Sequence, residues 1–250
     1  MSLEQVDTII FDLGGTLYKP IEGLLTLARK HLIDAGIEGC EMLTNEEIES
    51  ALDEQRNDWL VRYMLDNDVG PKWEPSREHW IQYDRQLLEN LCIGGDIDTL
   101  AEAYQEKWDD FHETVKPELV DGCKEEVLRL YERGFKLGIA SNRFGNPTKY
   151  LEADGIKEFF GAIEYSAVPG YAKPSPYMLL EVASALKSNP LRCVYVGNKV
   201  EDDVVAAKRA SMIPILLTWI DPEQRELAPE GTIIIDHLEE LHEILPFKAH

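Results

Sequence analysis

Four short runs in this 250-residue chain carry groups able to attack or hold an anion. The first is Ile9-Ile10-Phe11-Asp12-Leu13-Gly14-Gly15-Thr16-Leu17. An apolar strand there delivers the Asp12 carboxylate to a sheet edge, and the two glycines that follow let backbone approach a ligand closely. A carboxylate in such a place can attack phosphorus or carbon and form a covalent intermediate. The second run, Gly138-Ile139-Ala140-Ser141-Asn142-Arg143, ends a strand in Ser-Asn just ahead of a helix start, where a hydroxyl and backbone amides can hold phosphate. The third, Lys173-Pro174-Ser175-Pro176, places a lysine at a helix start as a point charge for an anionic group. The fourth, Val194-Tyr195-Val196-Gly197-Asn198-Lys199-Val200-Glu201-Asp202-Asp203, ends a strand in Gly-Asn and continues into acids that suit a hard cation such as Mg²⁺.

Singly, each run has an ordinary explanation. Asp12 before two glycines also reads as a turn residue. Ser141-Asn142 is a common strand exit, and lysines such as Lys173 are usually surface groups. Acids in a first helical turn, Glu201 among them, favour the helix dipole without binding any metal. Together the runs are far more specific, because each falls at the carboxyl end of an expected strand or in the loop beyond it.

Those strands are short apolar runs at Val6 to Asp12, Lys136 to Ser141, Ala162 to Tyr165, Arg192 to Gly197, Ile213 to Thr218 and Thr232 to Ile235. Several are continuous in Val and Ile, as strands covered on both faces tend to be. Helical patterns lie between them: Cys123 to Arg133 ending at Gly134, one opening at Asn146-Pro147 and closing at Gly155, one opening at Ser175-Pro176, and Asp202 to Ala210. Alternation of this kind predicts an α/β fold with a Rossmann-like, doubly wound parallel sheet. Ligands of such sheets bind beyond the carboxyl ends of the strands. Between about Lys19 and Pro117 the rhythm breaks. Apolar residues there recur at helical spacing, in Leu24 to Ala35, Asn45 to Leu65, Arg77 to Leu91 and Thr99 to Val115, so an inserted α-helical domain is expected. The expected division is a core of residues 1–18 and 117–250 and a helical domain of 19–116.

The chain carries 25 basic and 47 acidic residues, a net charge of -22, and this balance argues against nucleic acid or anionic membrane as partner. It leaves room for a small anionic substrate, since a local field can oppose the global one. The expected location is cytoplasmic: no apolar run reaches the roughly 18 residues of a membrane span, and the first residues lack a signal core. Cys40, Cys92, Cys123 and Cys193 form no close pair and read as reduced structural thiols.

The four runs together resemble the haloacid dehalogenase superfamily of phosphatases, dehalogenases and phosphonatases. Its pattern is an apolar strand with Asp-x-Asp-x-Thr, a strand ending in Ser or Thr, Lys-Pro, then Gly-Asp with a second acid downstream. The resemblance covers the whole chain, and the insert lies where that family places its first type of helical cap. It implies Asp12 as nucleophile, with Ser141 and Lys173 holding the transferred group and Gly15, Thr16 and Asn142 lining the substrate. It also implies Mg²⁺ on Asp12, the Gly14 carbonyl, Asn198 and Asp203, with Asp202 as an alternative. Two positions depart from the pattern. Gly14 stands where phosphatases of the family have a second Asp as general acid and base, help worth about 10²–10⁴-fold. Asn198 stands where they have Asp, which removes a negative charge from the cation site.

Three functions follow. The first is an Mg²⁺-assisted phosphohydrolase of weak or narrow activity on a small phosphorylated substrate. The second is a metal-free dehalogenase using the same Asp12, with Arg29, Arg56 or Arg62 as a carboxylate-binding group. The third is a binding or regulatory protein on a decayed enzyme fold. Phosphonatases of the family recruit a cap lysine, which would be Lys30, Lys72 or Lys107 here.

Overall fold

The computed structural model describes residues 3–246 apart from Glu22 and 56–58. Six strands, β1 (Thr8–Phe11), β2 (Lys136–Ser141), β3 (Phe160–Tyr165), β4 (Cys193–Gly197), β5 (Ile213–Leu217) and β6 (Ile233–Ile235), form one parallel sheet in the order β3-β2-β1-β4-β5-β6. This is the doubly wound order, with the direction of strand addition reversing on either side of β1. The register is level where it matters: Phe11 lies opposite Ile139 on one side and Val196 on the other. The carboxyl ends of β1, β2 and β4 therefore emerge together.

Both faces of the sheet are covered, which is why the strands read as unbroken apolar runs. Ile9, Phe11, Ile139, Val194 and Val196 pack on one face against Val127 and Leu130 of the helix Cys123–Glu132. Ile10, Ala140 and Tyr195 face the other way, onto the helices Tyr177–Ala185 and Val205–Arg209. Gly138 is needed for that packing, since a Cβ there would lie 2.3 Å from Val182 Cγ1.

The expected helix over 202–210 differs at its start. Residues Val200–Val204 form a wide π turn before the α-helix begins at Val205, with the Asp203 and Val204 amides both donating to Lys199 O. Such turns are rare and recur at functional sites.

The chain divides into two compact units, one of residues 1–19 and 117–250, the other of 20–116. The second is helical: Leu24–Asp34, Asn45–Gln55, Val61–Asp66, Arg77–Asn90 and Ile97–Thr114. Its own core includes Leu32, Ile48, Leu87, Leu88 and Tyr104. Within the stretch expected as one helix from Asn45 to Leu65, the described residues Asn45–Gln55 and Val61–Asp66 are helical. Ser76 caps the fourth helix, and the His79 ring accepts the Ser76 amide in return. No helix among the described residues is long and apolar enough to cross a membrane.

Candidate active site

Asp12 follows β1 at the point where the strand order reverses, the usual ligand crevice of such sheets. Its amide donates to Val196 O at 2.9 Å, which ties the start of the loop to β4. Its side chain is buried, and Oδ1 lies 2.8 Å from Lys173 Nζ. Lys173 is itself only 5% exposed. Its ammonium donates to Asp203 Oδ1 at 2.6 Å and to Tyr195 Oη at 2.9 Å. The Tyr195 hydroxyl in turn donates a hydrogen bond to Ala140 O at 2.7 Å. Three chain segments, 12, 173 and 195–203, thus meet on one buried cation.

Burial pushes the Asp12 carboxyl up; Lys173 pulls it back, Asp203 raises it, and the Ser141 hydroxyl lowers it again. Burial also pulls the Lys173 ammonium down, but Asp12 and Asp203 outweigh this and hold its pKa well above the ordinary value. The lysine therefore stays charged. Asp202, half-buried beside this group, is raised by burial and then by Asp203, while Lys173 works against the shift.

Asp203, expected as a metal ligand, is buried with both carboxylate oxygens occupied. Oδ1 takes Lys173, and Oδ2 accepts the amides of Asn198 and Lys199 at 2.9 Å each. Its place depends on Gly197, where a Cβ would lie 2.3 Å from Asp203 Cγ. Asn142, expected at the substrate, clasps the lysine backbone. Its Oδ1 accepts Lys173 N at 2.7 Å and its Nδ2 donates to Lys173 O at 2.9 Å. Thr16, expected at the substrate, is fully buried, and its hydroxyl has no hydrogen-bond partner among the described residues. Gly15 has φ +77 and is packed so closely that a Cβ would lie 2.6 Å from Asn198 Nδ2, and its carbonyl accepts Trp219 Nε1 at 3.0 Å. Gly15 shapes the loop so that Asn198 can rest on it. Gly14, by contrast, has open space where a Cβ would stand.

Among the described residues no group of three or more His, Cys, Asp or Glu side chains is arranged to hold a metal ion. Besides Asp203, the residues expected to offer oxygens to a cation are Asp12, Gly14 through its carbonyl, Asn198 and Asp202. All are hard donors of the type Mg²⁺ takes, but only two carry charge. Glu201 is exposed. In the helical unit, Arg29 is engaged locally, donating to Leu43 O and Asn45 Oδ1 at 2.8 Å each. Arg56 lies outside the described residues. Arg62, Lys30 and Lys72 are exposed, and Lys107 is half-buried.

Two parts of the site had little signal in the sequence. Tyr195 is a phenol in the middle of a fully buried strand, and a buried hydroxyl requires a partner; the run Cys193-Val194-Tyr195-Val196 contains that clue. Trp219, which ties down Gly15 from 204 residues away, had none.

The pattern of the haloacid dehalogenase-like hydrolases matches residues 6–211, and the chain belongs to that family. It is a hydrolase. The glyceraldehyde 3-phosphate phosphatase of Methanopyrus kandleri is 28% identical over 213 residues, covering 84% of this chain and 83% of that protein. A predicted phosphoglycolate phosphatase from Haemophilus somnus has the same fold, with a TM-score of 0.64 at 18% identity over 97% of this chain and 99% of its own. So does a 2-haloacid dehalogenase from Pseudomonas syringae pv. tomato, with a TM-score of 0.63 at 22% identity over 96% and 98%.

Proposed function

We propose that this protein is a phosphohydrolase of small phosphorylated metabolites that works through an aspartyl-phosphate on Asp12. Three-carbon phosphates are the first class to test, because the similar archaeal protein is named for glyceraldehyde 3-phosphate. The observation that carries the reading is the Lys173 ammonium, buried and held 2.8 Å from Asp12 Oδ1. A fixed cation beside a carboxylate nucleophile neutralises charge as the transferred group arrives, where a preorganised donor is worth most.

In this reading the Asp12 carboxylate attacks phosphorus and the ester oxygen departs. Lys173 and Ser141 steady the phosphoryl oxygens, Asn142 and Asp203 keep Lys173 in place, and water then cleaves the aspartyl-phosphate. Asp12, the Gly14 carbonyl, Asn198 and Asp202 would hold Mg²⁺, which would supply charge neutralisation on the phosphoryl oxygens. With two charged ligands its binding would be weak. Gly14 supplies no proton, so the leaving oxygen must take one from another group. The helical unit acts as the cap that selects the substrate.

The test is phosphate release from glyceraldehyde 3-phosphate and acetyl phosphate by the parent and by Asp12→Asn, with Mg²⁺ and with EDTA. The expected result is a low, Mg²⁺-dependent rate that Asp12→Asn abolishes. Release that survives Asp12→Asn sinks the reading, and full activity in EDTA removes the metal from it. A metal-free dehalogenase is the second reading. It is favoured by the full engagement of Asp203 and would appear as halide release from a 2-haloacid without Mg²⁺.

A further inference from the structure

The site described so far has a nucleophile and a charge clamp but no proton donor for the leaving group. The chain holds one polar pair beside the nucleophile loop that none of these roles uses. Gly14, the position without an acid, pairs with Tyr18 in an isolated bridge, and Gly15 N donates to Tyr18 O at 2.7 Å. The Tyr18 ring meets the Tyr150 ring edge-on at 4.9 Å. Tyr18 is already engaged, since its hydroxyl donates to Asp154 at 2.7 Å. Tyr150 is not: its hydroxyl oxygen accepts from the Arg143 guanidinium, and its own proton has no acceptor among the described residues.

Arg143 is fixed for this contact. Its Nε donates to Gly145 O at 3.0 Å, and its guanidinium lies 5.0 Å from the centre of the Tyr150 ring. It makes no ion pair with a carboxylate among the described residues, in a chain with 47 of them. Burial raises the Tyr150 phenol to about 12, with Arg143 lowering it and the Asp12 charge raising it. Through Tyr18, whose backbone bridges Gly14, the Tyr150 ring packs beside the nucleophile loop. A phenol of that strength stays protonated near neutral pH and is still a stronger acid than the aliphatic alcohol a phosphate ester releases.

We propose that Tyr150, held by Arg143, is the general acid and base that replaces the missing carboxyl at Gly14. The proposal rests on the aspartyl-phosphate reading above. As the Asp12 oxygen bonds to phosphorus, the phosphorus–ester bond breaks and its electron pair stays on the leaving oxygen, which takes the Tyr150 proton. The phenolate is stabilised by Arg143. In the second step the attacking water gives a proton back to Tyr150 as its oxygen bonds to phosphorus, and the bond from phosphorus to Asp12 breaks. Tyr150 ends protonated and the cycle closes.

The dependence on leaving group tests this. Glycerol phosphate needs a proton on its leaving alkoxide, whereas acetyl phosphate releases a stable carboxylate. Tyr150→Phe is expected to lower kcat for glycerol phosphate about 100-fold or more. For acetyl phosphate the loss is expected to be less than about 10-fold, since little acid help is needed. Adding Gly14→Asp to Tyr150→Phe should restore glycerol phosphate turnover, because a side chain at residue 14 meets open space. Equal losses on both substrates, no loss on either, or no rescue overturns the assignment, given unchanged thermal unfolding. A parent that turns over acetyl phosphate but not glycerol phosphate also overturns it, for no acid is then acting. The Asp12→Asn control separates the two ideas. Turnover that survives it defeats the aspartyl-phosphate reading itself, while its loss together with an unaffected Tyr150→Phe defeats only the role of Tyr150.

Discussion

Replacing Lys173 by Met tests whether one ammonium holds the site together. The substitution keeps a long apolar stem and removes the charge that Asp12 and Asp203 share at 2.8 and 2.6 Å. Asp203 retains two backbone amides on Oδ2. Asp12 retains only weaker help, so a buried carboxylate is left without its counter-charge. Removing one partner of a buried pair typically costs about 3–5 kcal/mol. For a chain of this length that corresponds to a fall in Tm of roughly 6–20 °C. The pH dependence is diagnostic. Asp12 already has a raised pKa in the folded protein, from burial above all, and loss of Lys173 raises it further. A carboxyl with a raised folded pKa costs nothing below its unfolded value and destabilises increasingly as pH rises toward the folded value. The deficit of Lys173→Met should therefore shrink as pH falls from neutral to about 5. Adding Asp12→Asn should recover part of the loss at neutral pH by removing the stranded charge. The assay is thermal unfolding by circular dichroism across that pH range. A variant whose Tm stays within about 2 °C of the parent at neutral pH would refute the account of a charge-held site.

Other perturbations follow from the same geometry. Gly197→Ala should displace Asp203, because the new Cβ would stand 2.3 Å from its Cγ, and so lower Tm as well as kcat, the latter about 10²-fold. Asn198→Asp should restore charge to the cation ligands and reduce the half-saturating Mg²⁺ concentration in a phosphate-release assay. In the helical unit, Asp84 is buried with Oδ2 unpartnered, and its pKa is raised well above 3.8 by burial and then by Asp109. Its protonated form is favoured in the fold, so stability should fall as pH rises above that value, by up to about 1.4 kcal/mol per unit. Asp84→Asn should flatten the dependence of Tm on pH and leave the protein at least as stable at neutral pH; an unchanged slope would show that Asp84 ionises freely.

Local pattern carried much of the fold because it follows directly from burial. Ile9, Ile10 and Phe11 are all fully buried, and only a strand covered on both faces needs three apolar residues in succession. The strand limits moved by a few residues, as Thr8–Phe11 within the expected 6–12 shows. The helices of the insert were legible from their spacing.

Sequence alone placed a carboxylate, a hydroxyl, a lysine and a run of acids at strand ends or in the loops beyond them, because strand ends are marked locally by the change from apolar to polar residues. Only the tertiary structure decided which groups engage each other. It is Asp203, not Asp202, that reaches Lys173, because the π turn at Val200–Val204 and the bare Gly197 bring that carboxylate back onto β4. Asn142 clasps a backbone 31 residues away, and Tyr195 receives the ammonium and reaches Ala140, 55 residues before it. Such partners are set by strand register and by the close approach of side chains that no local pattern records.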